Sequence, residues 1–284
     1  MDDWATDFLA EERLPQSFRF TLDEVCGPLA DRALDWRTSF GRTAVVGLCG
    51  AQGSGKSTIA RATVRILAEA GRKAVALSLD DFYLSREARG WLARKVHPLL
   101  AVRGPPGTHD AALACAVIDN LARAGQTPLP AFDKAADERK PKAEWGSADG
   151  PLDVVILEGW CVGARPEPEA RLAAPINTLE RQDDPDGVWR KYVNRQLAEL
   201  YQALFARLDR LVLLQAPGFD VVRTWRTEQE AKLRARAGPG AGMSDTEIAV
   251  FIQHYERLTR WILEEMPARA DWVIPLDSYR MPGP

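Results

Sequence analysis

The sequence predicts an α/β fold with a central, mainly parallel sheet and helices on both faces. Three observations carry this expectation. Short continuous apolar runs recur at residues 44–49, 74–79, 154–157 and 211–214, the pattern of strands buried on both faces. Segments with helical spacing lie between them. The first two runs are joined by a glycine-rich turn and a helix, a βαβ unit that calls for parallel strands and a right-handed crossover.

Each element follows in order. Residues 1–43 read as a helical N-terminal extension packed on the main domain, and residues 44–284 as that domain. After the first strand, Ile59, Thr63, Ile66, Leu67 and Ala70 share one helical face. Gly71 ends that helix, as a glycine past the last turn does. Trp189, Tyr192, Val193, Leu197, Leu200, Leu204 and Leu208 make one long amphipathic stripe. Ser244 and Glu247 form a capping-box pattern ahead of Ile248, Phe251, Ile252, Tyr255, Leu258 and Ile262. A last strand at residues 272–275 ends on Pro275 and belongs at a sheet edge. The glycine- and proline-rich stretch 237–242 reads as a surface loop.

Composition bounds the partners. The chain has 284 residues, 46% hydrophobic and 27% charged, enough for one large α/β domain or two small ones. A net charge of −3 argues against a general nucleic-acid binder. Cys26, Cys49, Cys115 and Cys161 are scattered without a C-x-x-C pair, so neither a disulfide framework nor a zinc site is expected and a reducing cytosol fits. The opening Met1-Asp2-Asp3 lacks a basic signal-peptide start. No apolar run approaches the roughly 20 residues that cross a bilayer. The expectation is a cytoplasmic protein acting on a small molecule, with no membrane and no nucleic acid.

Residues Gly50, Ala51, Gln52, Gly53, Ser54, Gly55, Lys56 and Ser57 match G-x-x-x-x-G-K-[ST] in full, between a predicted strand and a predicted helix that continues with Thr58. This is the P-loop, and the expected fold is a P-loop NTPase fold. Its glycines let backbone N–H groups wrap an anion, and the helix N-terminus adds positive potential. Lys56 reaches the β- and γ-phosphates of ATP, and Ser57 holds Mg²⁺. No guanine-reading N-K-x-D is present, which argues against a GTPase. A small-molecule kinase needs a carboxylate near the γ-phosphate. Asp80 and Asp81 close the second strand, where ligands bind in open α/β sheets. Adjacent side chains point apart there, so one acid serves chemistry and the other caps or packs. Asp80 is the candidate base. Glu158 closes the strand 154–157 as a Walker B acid that orients the metal or its waters. A buried, unpaired carboxylate is costly, so a cationic partner is expected there.

The ordered set of segments resembles the D-glycerate 3-kinase family, within the phosphoribulokinase, uridine kinase and pantothenate kinase group. The segments are Asp80-Asp81-Phe82-Tyr83, Gly107-Thr108-His109-Asp110, Phe132-Asp133-Lys134, Glu158-Gly159-Trp160, residues 225–230 and residues 242–245. They span about residues 44 to 277. The resemblance implies ATP-dependent phosphorylation of a hydroxyl of D-glycerate to 3-phosphoglycerate, with Asp80 as base. It places Tyr83, Thr108, His109 and Asp110 near the acceptor, and a lid helix with Arg223 and Arg226 over the ATP phosphates. Plant members carry a glycine-rich basic run after the F/Y-D-K motif; here residues 135–142 lack those glycines but end basic. Lys134, Arg139, Lys140 and Lys142 crowd that stretch, a cationic clamp that suits a carboxylate acceptor. Two other readings stand beside this one. One is a uridine- or pantothenate-type kinase. The other is a regulatory P-loop protein that binds ATP with little transfer, which the acid pair Asp80-Asp81 argues against.

Overall fold

The computed structural model describes residues 4–237 and 242–283. The stretch expected as a loop at 237–242 lies largely outside them, as do Met1, Asp2 and Asp3. The described residues form nine strands: β1 (Ala44–Gly50), β2 (Ala74–Ser78), β3 (Gly125–Leu129), β4 (Phe132–Asp133), β5 (Glu138–Arg139), β6 (Gly146–Gly150), β7 (Val154–Gly159), β8 (Arg210–Gln215) and β9 (Trp272–Pro275). Five of them form a parallel sheet in the order β2-β7-β1-β8-β9. The strand ending on Pro275 stands at an edge, where a missing backbone donor costs nothing.

Alternate residues of the buried strands feed two cores. Val46, Leu48, Val154, Ile156, Val212 and Leu214 face one side and pack with Ile59, Ala62 and Leu67 of the helix Lys56–Glu69. Phe8, Leu22, Val25 and Leu29 from the helical segment ahead of β1 join that same core. Val45, Val155, Leu157, Leu211 and Leu213 face the other side, against the helices Ala111–Leu121 and Gln253–Glu265. Helices therefore cover both faces, as a parallel sheet requires.

Register decides where the chemistry can sit. Ser78 pairs level with Glu158, and Glu158 level with Leu48. The chain beyond each strand, carrying Asp80, Gly159 and the cradle after Gly50, therefore leaves the sheet at one end.

Three expectations need correction. The second strand stops at Ser78, and Leu79 opens a 3₁₀ turn, Leu79–Phe82, with its side chain fully buried. The stripe from Trp189 to Leu208 is not one regular helix. The helix Val188–Gln196 runs into a π-turn, Leu197–Tyr201, before Gln202–Phe205. Leu200 is 52% exposed, and Tyr201, four residues after Leu197 on the same face, is fully buried. Finally, the stretch between the second strand and β7 holds two antiparallel pairs, β3 with β6 and β4 with β5. Their strands are short and polar, with no apolar run to announce them. The capping box of Ser244 and Glu247 forms in both directions, and the helix Asp245–Phe251 it opens breaks at Ile252 before the next one starts.

Candidate active site

The cradle follows β1 directly. Gly53 and Gly55 sit at φ +81° and +89°, in the left-handed region that favours glycine. Gly53 is also tight: a Cβ there would lie 2.6 Å from the Cβ of Trp225. The helix Lys56–Glu69 begins at the next residue, so its unpaired N–H groups face the loop's interior. Ser54 Oγ and both polar atoms of the Gln52 side chain are buried without a protein partner. Such groups are costly to leave unpaired, and a polyanionic ligand fits here.

Beneath the cradle, Ser57 Oγ donates to Glu158 Oε1 at 2.7 Å. Glu158 is 3% exposed, and its Oε2 is buried without a partner. A hydroxyl and a half-satisfied carboxylate side by side are hard oxygen donors of the kind that hold a divalent ion together with phosphate oxygens. Among the described residues no cluster of three or more His, Cys, Asp or Glu forms a protein cage for a metal.

The two adjacent acids part ways. Asp80 Oδ2 receives the Lys134 ammonium at 2.6 Å, and its Oδ1 accepts from the Tyr83 hydroxyl at 2.8 Å. Burial alone would push the Asp80 carboxyl up; Lys134 and Lys56 outweigh it and hold the group well below the usual carboxylate range. Asp81 accepts the backbone N–H of Phe132 at 3.2 Å and so anchors β4, and its burial raises its pKa.

The predicted acceptor residues come together around this pair. Tyr83 and His109 face each other in an antiparallel bridge, with rings stacked 4.4 Å apart. Burial pushes the His109 imidazole down to about 4 against the pull of Asp80, so the ring is neutral at pH 7. Thr108 is fully buried and spent within its own turn, donating to Pro105 O and accepting from Gly104 N–H. Asp110 caps the helix Ala111–Leu121 by accepting from Leu113 N–H. Arg139 donates to Tyr83 O at 2.9 Å and stands 3.4 Å from Asp110 Oδ2. Lys134 and Arg139 thus flank Tyr83, whereas Lys142 is exposed.

On the helix Asp220–Ala237, expected to carry the lid arginines, Arg223 is exposed. Arg226 is held by Glu230 and lies over the Phe251 ring at 5.3 Å.

Several residues of this site carry no motif. Asp137, at φ +55°, accepts from Arg89 at 2.6 Å and from Arg103 at 2.5 Å. Those two arginines fasten the turn that carries Lys134. Arg280 donates to Gly53 O at 2.6 Å, pairs with Glu228 at 2.6 Å and stacks on Trp225. It ties the cradle to the helix Asp220–Ala237 and to the chain after β9. No spacing rule marks a lone arginine near a C-terminus. Tyr201 was hidden because the apolar stripe favours Leu200 as the inward residue.

Fold, cradle and the relatives that follow define a P-loop kinase, an ATP-using phosphotransferase with an alcohol acceptor and a metal ion, acting on a small molecule. Residues 45–164 match the phosphoribulokinase / uridine kinase family. The chain is 35% identical over 224 residues to the uncharacterized kinase mug58 of Schizosaccharomyces pombe, covering 76% of this chain and 79% of that one. It is 31% identical over 222 residues to the chloroplastic D-glycerate 3-kinase of Arabidopsis thaliana, covering 74% of this chain but 46% of that longer protein. The solved structure of D-glycerate 3-kinase from Cryptococcus neoformans superposes with a TM-score of 0.74 at 25% identity, over 90% of this chain and 97% of that one. The chain belongs to the D-glycerate 3-kinase family, within the phosphoribulokinase and uridine kinase group. Among the described residues no helix is long and apolar enough to cross a membrane.

Proposed function

We propose that the chain transfers the γ-phosphate of ATP to the 3-hydroxyl of D-glycerate, with Mg²⁺ as the metal. The observation that carries the acceptor is the Asp80–Lys134 pair: a carboxylate at the strand end, with an ammonium 2.6 Å away on a short hairpin. An anionic acceptor beside an anionic nucleotide is repelled at short range, and a low-dielectric site sharpens the repulsion. Lys134, and Arg139 behind it, offset that charge. The glycerate kinases among the relatives support the same acceptor.

In this reading the cradle N–H groups and Lys56 neutralise the β- and γ-phosphates, and Thr58 extends the cradle into the first helical turn. Ser57 and Glu158 would hold the metal, which would supply positive charge against the phosphate oxygens. The acceptor carboxylate draws the Lys134 ammonium away from Asp80. Asp80 then accepts the proton of the attacking hydroxyl. The new bond joins that oxygen to the γ-phosphorus, and the bond to the β–γ bridging oxygen breaks to release ADP. Tyr83 keeps Asp80 oriented, and His109 and Asp110 line the acceptor side. Arg223 and Arg226 lie over the phosphates when the lid helix closes. The four cysteines, none of them in a disulfide, support a reducing, cytoplasmic setting.

The test is a coupled ADP-release assay with D-glycerate, its methyl ester, uridine and pantothenate. Glycerate is expected to turn over, and the methyl ester, lacking the charge, to be poor. Uridine turning over faster than glycerate would defeat the acceptor while leaving the kinase in place.

A further inference from the structure

Tyr201 belongs to no motif, yet it is fully buried against the acceptor segment. Its hydroxyl oxygen lies 2.5 Å from His109 Nδ1 and accepts the backbone N–H of Gly107 at 3.1 Å. We propose that Tyr201 is a positioning residue that fixes His109 as its Nε2–H tautomer, and that this N–H donates a hydrogen bond to the acceptor beside Asp80. The second half presupposes the phosphotransfer reading, though not any one acceptor.

Counting protons leads to the tautomer. The phenol has one proton to give, and its oxygen already accepts from Gly107. If it donates to Nδ1, the neutral ring carries its proton on Nε2, and a single buried group, Nε2–H, is left for a ligand. If Nδ1–H donated to the phenol instead, the phenolic proton would lose its acceptor while Nε2 stayed unpaired. Two buried groups would then be orphaned rather than one, and such groups are costly. Nε2 is indeed buried without a protein partner. The ring is neutral because burial outweighs the attraction of Asp80.

Placement leads to the ligand. Tyr83 and His109 are opposite residues of an antiparallel bridge, so their side chains leave on the same side. Tyr83 ends on Asp80 Oδ1, and the His109 ring lies flat on it at 24°. The His109 ring thus stands beside Tyr83 and within electrostatic reach of Asp80, and Nε2 is the ring nitrogen that Tyr201 does not hold. Tyr201 closes the π-turn Leu197–Tyr201 and lies four residues after Leu197 and three before Leu204, all three buried on one face. Single π-turns of this kind recur at functional sites.

Two-bond ¹H–¹⁵N spectra of the wild-type enzyme give the tautomer directly. Only His97, His109 and His254 are present, and the His109 signals are those missing from His109→Gln. A pyrrole-like Nε2 with a pyridine-like Nδ1 is expected. In Tyr201→Phe the tautomers are expected to mix, and the KM for the acceptor that turns over to rise roughly tenfold, the scale of one hydrogen bond, with the KM for ATP unmoved. If Tyr201→Phe fails to fold, the pair His109→Gln and His109→Asn decides. Glutamine carries its amide near the Nε2 position and should retain acceptor affinity better than asparagine, whose amide sits near Nδ1. A wild-type Nδ1–H spectrum, asparagine outperforming glutamine, or a folded Tyr201→Phe with unchanged tautomer and acceptor KM would overturn the assignment. A wild type inactive on every acceptor would instead sink the phosphotransfer reading.

Discussion

The cradle and the acceptor hairpin meet at the same end of the sheet, but they are built differently. The cradle is one contiguous run, Gly50 to Ser57, set by backbone geometry between β1 and its helix. Its ligand-facing groups are mostly main-chain N–H donors, with Lys56 added. The hairpin Phe132–Arg139 has two residues per strand. It is held by side chains from remote segments: Asp81 on Phe132, Arg89 and Arg103 on Asp137, and Asp80 on Lys134. A site made of backbone accepts any ligand with the right phosphates. A site made of side-chain pairs can be retuned residue by residue, which suits a family whose nucleotide is common and whose acceptors differ.

The sharpest break in that comparison is within the acid pair where the two regions touch. Asp80→Asn should lower kcat by roughly 10²–10⁴-fold, the range for a lost general base, with ATP binding preserved. Asp81→Asn should do less to kcat and more to stability, since Asp81 holds β4 through Phe132 N–H. Turnover and denaturant midpoints of both variants decide it, and a dead Asp81→Asn beside an active Asp80→Asn would reverse the roles.

On the cradle side, Lys56→Ala should cost roughly 10²–10³-fold in turnover through lost charge stabilisation. Its circular dichroism should stay that of the wild type, because Lys56 opens a helix rather than filling a core. Near-wild-type turnover in a folded variant would remove Lys56 from the chemistry. Glu158→Gln comes next. It keeps the shape but loses the charge beside Ser57 Oγ, and the Mg²⁺ concentration for half-maximal rate should rise roughly 10–100-fold, the scale seen when partners around a metal site are changed. An unchanged requirement would make Glu158 structural.

Legibility in the sequence follows the same division. β1, the cradle, β7 and the edge strand were readable because continuous apolar runs and fixed glycine spacing are local signals. The parallel sheet followed from one βαβ unit. The contacts Lys134–Asp80 and Asp137–Arg103 join residues 54 and 34 apart, and no local pattern encodes them. Leu200 shows the converse failure. Both Leu200 and Tyr201 fit the helical face set by Leu197 and Leu204; hydrophobicity chose the leucine, and the structure buries the tyrosine, whose hydroxyl has a buried partner in His109.

The mildest test bears on how the hairpin governs the base. In Asp80, burial raises the pKa and Lys134 is the largest opposing influence. A carboxyl held low in the folded protein is ionised at every pH above that low value. The limb of kcat/KM belonging to Asp80 should therefore lie below the ordinary carboxylate range, leaving the wild-type profile flat down to about pH 4. In Lys134→Met the lowering influence is gone, burial is opposed mainly by Lys56, and the acid limb should move up in pH. Acid stability should change with the same sign. A depressed carboxyl adds stability that is present above its unfolded pKa and lost as pH falls through its folded one, so the variant gives up part of that contribution. The effect is discounted because the Lys134 side chain is 60% exposed and screened by solvent. For the same reason the acceptor KM should rise by no more than roughly tenfold, within the strength of one charged hydrogen bond. A pH–rate profile of kcat/KM for both proteins, with KM for acceptor and ATP measured separately, reads all of this. An acid limb that stays in place would mean that the ammonium does not set the basicity of Asp80. A rise confined to the KM for ATP would move Lys134 from the acceptor hairpin to the cradle side.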